Sequence, residues 1–412
     1  MYTLLDAVSN GSWVTKSSHS RALFPRGPLL TANEVMTQPL RILHLLDSLR
    51  PGGTENGVVN VAQRLTGSVD THVACLRASG DFAARLPVPS QVYVLGKGNG
   101  FTPRTVLALR QTLQRLRPNV VHTHNLGPLI YAALATAAGI TTPILHGEHG
   151  QIQEQERNAR RRWQRRLLFR CCQGVHTVSQ SMISALASEG LPVRGMTAIT
   201  NGVDACMFRP AESKAAARGA LGLPEHGPVI GIVGRFVALK RHLLLLQAFD
   251  QVAADVPGLR IVILGDGGDD QDSVRAAIES HPRRAQIHWP GMQSNTVPWY
   301  QTLDLLVAPS LIEGLSNAVL EAMSCGVPVL AHAACGNSEV IVHEANGYCD
   351  SIQTVEDLAA SLRQRLARPD TLHSAGIEAR QHVLVNFSLD SMAQGYLRLY
   401  QRCAAREHRH CP

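Results

Sequence analysis

"LLVAPSLIEGLSNAVLEAMSCGVPVLAH", Leu305 to His332, decides the architecture. It opens on an aliphatic run of strand length and passes through small and polar residues. Apolar residues at helical spacing follow from Asn317 to Met323, and a second aliphatic run closes it. This order predicts a parallel strand-helix-strand unit, since aliphatic strands buried on both faces need helices to cover them. Ser316 is the predicted N-cap, and Glu313 and Glu321 stand eight positions apart, one before the helix and one inside it. A helix start presents backbone N–H groups that favour an anion, and Gly314 and Ser316 are small enough to let phosphate oxygens come close. Glu313 can accept hydrogen bonds from sugar hydroxyls and Glu321 from a ribose edge. The spacing alone is a weak motif; the strand before it and the helix start within it give it weight.

The same alternation extends in both directions. Strand-like runs RILHLL, THVACL, VYVL, VVHTH, PILHGE, GVHTVS and MTAIT occupy the first half, and PVIGIVG, RIVILG, QIHWPG, LLVAPS, VPVLAH and NGYC the second. Between the two series, Asn201 to Pro228 is punctuated by glycines and prolines and reads as a hinge. The pattern predicts an α/β protein with two Rossmann-like, doubly wound domains facing across a cleft, with ligands outside the carboxyl ends of the strands. The expected boundaries are a disordered extension at 1–37, a first domain at 38–205 and a second at 206–385. A C-terminal helix and tail at 386–412 are expected to pack back on the first domain.

Composition narrows the function classes. The chain has 412 residues and 45% hydrophobic content, enough for two cores, so a disordered or fibrous protein is excluded. A formal charge of +7 favours anionic ligands, but 5% aromatic content argues against base stacking, and no nucleic-acid partner is expected. Nine scattered cysteines without a Cys-x-x-Cys pair indicate neither a disulfide framework nor a zinc ribbon, and fit a reducing cytoplasm. The terminal HRHC reads either as a metal-catching tail or as a frayed polar end. The uncharged run from Asn125 to Leu145 is long enough to span a bilayer, but its Gly, Pro and Thr content divides it into a buried helix and a strand.

Other candidates follow strands. Gly52 and Gly53 in "SLRPGGTENG" either let a ligand approach a helix start or simply make a tight turn. Arg235 and Lys240 in "VGRFVALKR" either neutralise a diphosphate or belong to a solvated helix start. "VILGDGG" has Asp270 where a dinucleotide fingerprint would want glycine, which disfavours a nicotinamide cofactor. His149 of "HGEHG", like His122, His124 and His146, reads on its own as a satisfied, partly buried histidine. "ERNARRRWQRRLLFR", Glu156 to Arg170, carries seven arginines with Trp163 and Leu167 on one helical face. It is either a solvated helix or, over Arg157–Arg170, a contact with an anionic membrane surface.

With these motifs in order, from about Leu40 to about Cys403, the chain resembles glycosyltransferase family 4, the retaining sugar transferases of the GT-B fold. "GGTENG", "HGEHG", "NGVD", "VGRFVALK", "LGDGG" and the acid pair carry the resemblance, and within the family the chain is most similar to transferases associated with exosortase (PEP-CTERM) exopolysaccharide clusters. The resemblance implies that Arg235, Lys240 and the backbone of Gly314, Leu315, Ser316 and Asn317 bind the donor diphosphate. It implies that Glu313 contacts the donor sugar, that Glu321 holds the nucleotide ribose, and that His149 contacts a sugar hydroxyl near the reacting carbon. Gly52 and Gly53 would form the loop between donor phosphate and acceptor. Where many relatives carry Pro-Glu-Lys-Gly this chain has "ALKRH", so Arg241 replaces a glycine, and its charge is expected to alter phosphate contacts. The implied reaction is front-face transfer from a nucleotide diphosphate sugar to a glycan or lipid-linked acceptor, with no metal required. A sugar-nucleotide epimerase on the same fold and a non-catalytic polysaccharide-binding scaffold are the alternatives.

Overall fold

The computed structural model describes residues 39–405 apart from Ala138, residues 151–157, Ile312 and Ala334. The expected extension at 1–37, Glu156, Arg157 and the HRHC tail lie outside the described residues.

The first sheet contains β1 (Leu40–Ser48), β2 (Val69–Ala78), β3 (Val92–Val94), β4 (Val120–His124), β5 (Ile144–Glu148), β6 (Gly174–Thr177) and β7 (Thr197–Ala198). Its order is β3-β2-β1-β4-β5-β6-β7, all parallel. The second contains β8 (Val229–Val233), β9 (Arg260–Leu264), β10 (Ile287–Gly291), β11 (Leu305–Ala308), β12 (Val329–His332) and β13 (Tyr348–Asp350). Its order, β10-β9-β8-β11-β12-β13, is also all parallel. Each sheet therefore reverses direction beside its first strand, the switch point at which doubly wound folds bind ligands.

Helices of the first lobe are α1 (Gly53–Arg64), α2 (Pro103–Leu116), α3 (Leu126–Thr136), α4 (Ala159–Arg170) and α5 (Gln180–Ser188). Those that follow are α6 (Lys214–Ala220), α7 (His242–Asp255), α8 (Gln271–Glu279), α9 (Val297–Tyr300), α10 (Asn317–Ser324), α11 (Val355–Leu366), α12 (Pro369–Asn386) and α13 (Leu389–Ala405). The period-two alternation of strand side chains splits the second lobe into two cores. Val229, Val262, Leu306 and Val329 pack with α10 and α12, whereas Ile230, Ile261, Leu305 and Leu330 pack with α7, α8 and α11. In the first lobe Leu43, Leu45 and Val121 pack with α2 and α3, and on the other face Ile42, Val120 and Leu145 meet Met392, Tyr396 and Tyr400 of α13. The last helix thus covers the first sheet.

The run from Asn125 to Leu145 resolves into α3 and the start of β5, and no helix among the described residues is long and apolar enough to cross a membrane. The described cysteines Cys75, Cys171, Cys172, Cys206, Cys325, Cys349 and Cys403 are all free thiols.

The chain passes between lobes near Val203 and returns near Phe387. The two passages touch: Val203 N donates to Phe387 O (2.9 Å) and Leu389 N to Val203 O (3.1 Å). A Cβ on Gly202 would stand 2.6 Å from Ser388 O, so the glycine of "NGVD" permits this close crossing.

Candidate active site

Residues expected at the site come from the carboxyl ends of strands in both lobes. Gly52, in extended conformation, is the N-cap of α1, and Gly53 O accepts a 3.5 Å hydrogen bond from Asn317 Nδ2 at the start of α10. Gly314 lies against the first lobe so closely that a Cβ there would be 2.8 Å from His149 O, and one on Gly336 would meet Gly314 O. Asn201 Nδ2 donates to Leu315 O (3.0 Å). The Glu339 carboxylate accepts from Gln180 N (2.9 Å) and Ser181 N (2.5 Å), so an acid of the second lobe meets the N-terminus of α5 in the first. Carbonyls, amides and one carboxylate therefore hold the lobes together around the loop before α10.

The charged groups sit in the same place. Lys240 Nζ donates to Glu313 Oε2 at 2.5 Å, both half-buried, and its stem passes over Gly234, where a Cβ would come within 3.3 Å of Lys240 Cε. Arg235 is exposed, and its charge acts on Glu55 in the first turn of α1. Burial pushes the Glu55 carboxyl up, while its own backbone N–H and Arg235 pull it back. Ser316 occupies the N-cap position of α10, but its hydroxyl makes no capping bond, so no side-chain cap covers that helix start. Lys240 with its partner Glu313 thus precedes an uncapped α10 start that is bonded to the Gly53 carbonyl, while Arg235 acts on Glu55 at the start of α1.

Inside α10, Glu321 accepts a 2.8 Å hydrogen bond from Tyr300 Oη. Burial pushes its carboxyl up to about 7, against the opposing effects of Tyr300 and of Arg85 from the first lobe. Tyr300 and Arg85 escape sequence reading because only the fold brings them to the acid. Glu55 and Glu339 could have drawn attention, one inside "GGTENG" and the other in the run continuing from the acid pair.

His149 is the satisfied, partly buried histidine that its residues suggest: Nε2 lies 2.8 Å from His124 Nδ1, which leaves Nδ1 as the nitrogen available to a ligand. Two expectations change. Arg241 does not add charge to the phosphate face. It adopts left-handed φ 58, ψ 41 at the start of α7, a conformation that suits the glycine of relatives, and its guanidinium donates to Ile352 O and Gln353 O (2.7 Å each). The arginine run of α4 is not one solvated face either. Arg165 is buried and donates to Glu148 Oε1 (2.9 Å), Arg162 pairs with Glu189 (3.6 Å) and Arg166 donates to Gly190 O (3.0 Å). Arg160, Trp163, Leu167 and Arg170 remain exposed.

The chain contains an Asp-x-Asp pattern, Asp270-Gln271-Asp272, at the start of α8. Its carboxylates are absent from the contacts of Lys240, Glu313 and Asn317 described above.

A family model described as Glycosyltransferase Family 4 matches residues 51–205, and one described as Glycosyl transferases group 1 matches 213–382. The D-inositol 3-phosphate glycosyltransferase of Thermobispora bispora is 31% identical over 231 residues, 54% of this chain and 54% of that protein. Its Mycobacterium tuberculosis counterpart is 28% identical over 303 residues, 69% of this chain and 56% of that protein. The chain spans about half the length of the curated relatives it matches. Among solved structures, Anabaena Alr3699/HepE in complex with UDP and glucose superposes with a TM-score of 0.77 at 20% identity, covering 88% of this chain and 99% of that one. Staphylococcus aureus TarM, in complex with Fondaparinux, alpha-GlcNAc-glycerol and UDP, has a TM-score of 0.71 at 12% identity, covering 88% and 99%. These structures share the two-lobed GT-B fold with this chain.

Proposed function

Because the chain carries a family 4 glycosyltransferase domain followed by a group 1 glycosyl transferase domain, we propose that it is a retaining glycosyltransferase moving a hexose-type sugar from a nucleotide diphosphate sugar. The acceptor is a glycan or a lipid-linked saccharide of cell-surface polysaccharide biosynthesis, and the resemblance to exosortase-associated transferases supports that setting. One observation carries the reading: Lys240, paired with Glu313, stands beside an α10 N-terminus that no side chain caps. A diphosphate held there has its developing charge stabilised by Lys240, Arg235 and the amides from Gly314 to Asn317. Glu313 is then placed to accept from sugar hydroxyls, Glu321 from the ribose, and the Gly52-Gly53 turn lies between phosphate and acceptor. Nucleotide-bound neighbours favour a uridine diphosphate sugar as the first donor to test.

In the front-face reaction the glycosidic C–O bond to the diphosphate breaks as the acceptor oxygen bonds the same face of the anomeric carbon, and the departing phosphate oxygen takes the acceptor's proton. The side chains described here supply charge stabilisation, so turnover is expected to continue in excess chelator. Incubation with uridine and guanosine diphosphate sugars plus EDTA should give transfer or slow donor hydrolysis. Interconversion of the sugar would indicate an epimerase, no turnover of any donor a scaffold, and loss of turnover with EDTA a required metal.

Contact with the inner face of an anionic membrane is supported by Trp163 and Leu167, 63% and 45% exposed, flanked by Arg160 and Arg170 on α4. Binding to phosphatidylglycerol vesicles should fall steeply with salt; binding that ignores salt and lipid charge removes this contact from the proposal.

A further inference from the structure

Behind His149 the first lobe holds histidines from three strands. His44 (β1) pairs in register with His122 (β4), His124 follows two residues later on the same face, and His176 comes from β6. The rings form two chains. In one, His149 Nε2 meets His124 Nδ1 at 2.8 Å, and His124 Nε2 meets His44 Nδ1 at 3.0 Å. In the other, Tyr400 Oη meets His122 Nδ1 at 3.0 Å, and His122 Nε2 meets His176 Nε2 at 2.8 Å. His122 lies against His124 with ring centroids 4.1 Å apart, so the second chain forms a wall for the first.

His44, His122 and His124 are close enough to suggest a metal centre, as are His122, His149 and His176. The geometry favours hydrogen bonds. Ligand nitrogens about 2.0 Å from a tetrahedral zinc would be separated by about 3.3 Å and aim at one point. Here they face one another at 2.8 to 3.0 Å, the spacing of N–H···N hydrogen bonds.

We propose that His124 and His44 are positioning residues that set which ring nitrogen of His149 carries the proton, and thereby whether His149 presents a donor or an acceptor to the sugar. A neutral imidazole has one N–H and one lone pair. His124 uses both nitrogens within the chain, so it must donate through one and accept through the other. If His149 Nε2 donates to His124, then His124 donates to His44 and His149 Nδ1 is a bare acceptor. If His44 Nδ1 donates, every bond reverses and His149 Nδ1 carries the hydrogen. The outward character of His149 is thus coupled to His44, which lines a small pocket with Thr54, Asn201, Met392 and Tyr396.

The surroundings keep these rings neutral. Burial and neighbouring imidazoles lower His44 to about 3 and His149 to about 4, and hold His122, His124 and His176 well below the ordinary histidine range. The groups facing them are His146 and Glu148 from β5, Tyr396 and Tyr400 from α13, and one another. Glu148 opposes the lowering at His149, but Arg165 and His146 engage its carboxylate.

The inference rests on the transferase reading only for its kinetic test. Nitrogen NMR of the histidine-labelled full chain should show His149 as one neutral tautomer across pH 6 to 8. His124→Phe keeps a ring but cuts the chain, and should give mixed or altered His149 tautomers. It should lower kcat roughly tenfold to a hundredfold with donor KM nearly unchanged, the usual scale for partners that orient a functional histidine. His124→Asn, which can both donate and accept, should recover much of the loss. Wild-type tautomer and kcat in His124→Phe would overturn the proposal, as would a His124→Asn variant as impaired as His124→Phe. Stoichiometric binding of added Zn²⁺ lost in His124→Phe would replace it with a metal site. A wild-type chain without turnover would defeat the proposed function while leaving the tautomer result to decide this inference.

Discussion

Lys240→Ala is expected to lower kcat/KM for the nucleotide sugar by about 10²- to 10³-fold, the usual cost of removing one group that stabilises charge on a leaving oxygen. The structure gives a reason to expect the upper part of that range. Lys240 already neutralises Glu313 at 2.5 Å, so its removal leaves an uncompensated carboxylate beside the proposed diphosphate site. Repulsion is then added to lost attraction. Glu313→Gln alone should slow turnover while leaving nucleotide affinity near wild type or higher. The double variant Lys240→Ala, Glu313→Gln should bind nucleotide better than Lys240→Ala. Calorimetry with the nucleoside diphosphate and steady-state kinetics complete the cycle. Unchanged affinity and turnover in Lys240→Ala would remove the diphosphate from this face.

The second large effect concerns pH. The Glu321 carboxyl stands at about 7 in the free chain because burial disfavours its charge. In the proposed binding mode ribose hydroxyls donate to the anion, so protons and nucleotide would compete for it. The sign follows: affinity is full above about pH 8 and falls as pH drops through 7, approaching tenfold per unit below that. A nucleotide sugar is the suitable probe, since its diphosphate diester does not titrate in this range. Glu321→Gln should abolish the dependence, and Glu321→Ala should weaken binding by about 10- to 100-fold, as expected for hydrogen bonds to a charged acceptor. Tyr300→Phe removes the hydrogen bond that favours the anion, and should shift the midpoint upward. A flat affinity profile from pH 5.5 to 8.5 would remove Glu321 from the ribose.

The strands were legible because parallel strands buried on both faces must be rich in aliphatic residues, and every such run noted in the sequence overlaps an observed strand. The acid pair was legible as a helix entrance because β11 and α10 are neighbours in sequence. What sequence could not give was direction. His149 was readable as a partly buried, satisfied histidine, but not its partner: its ring meets His124, and their meeting depends on which strands adjoin β4. The His-x-His of β4 and the histidine of β1 were a usable signal, since they share a face once β1 and β4 are paired. Arg165 seemed one of many surface cations, yet Glu148 on β5 draws it into the interior. Arg241 was misleading for a backbone reason: its left-handed conformation directs the guanidinium to the carbonyls after β13.

The contact between Val203 and the Phe387-Leu389 segment bears on how the cleft can move. Two separate straps would allow the halves to shear or pull apart, but straps bonded side by side behave as one pivot. Opening should then be a swing about the line through Gly202 and Ser388, smallest near that line and growing with distance from it, and it must work against the bonds of the Glu339 carboxylate to the α5 amides. A wider cleft would cost this carboxylate its two amide partners.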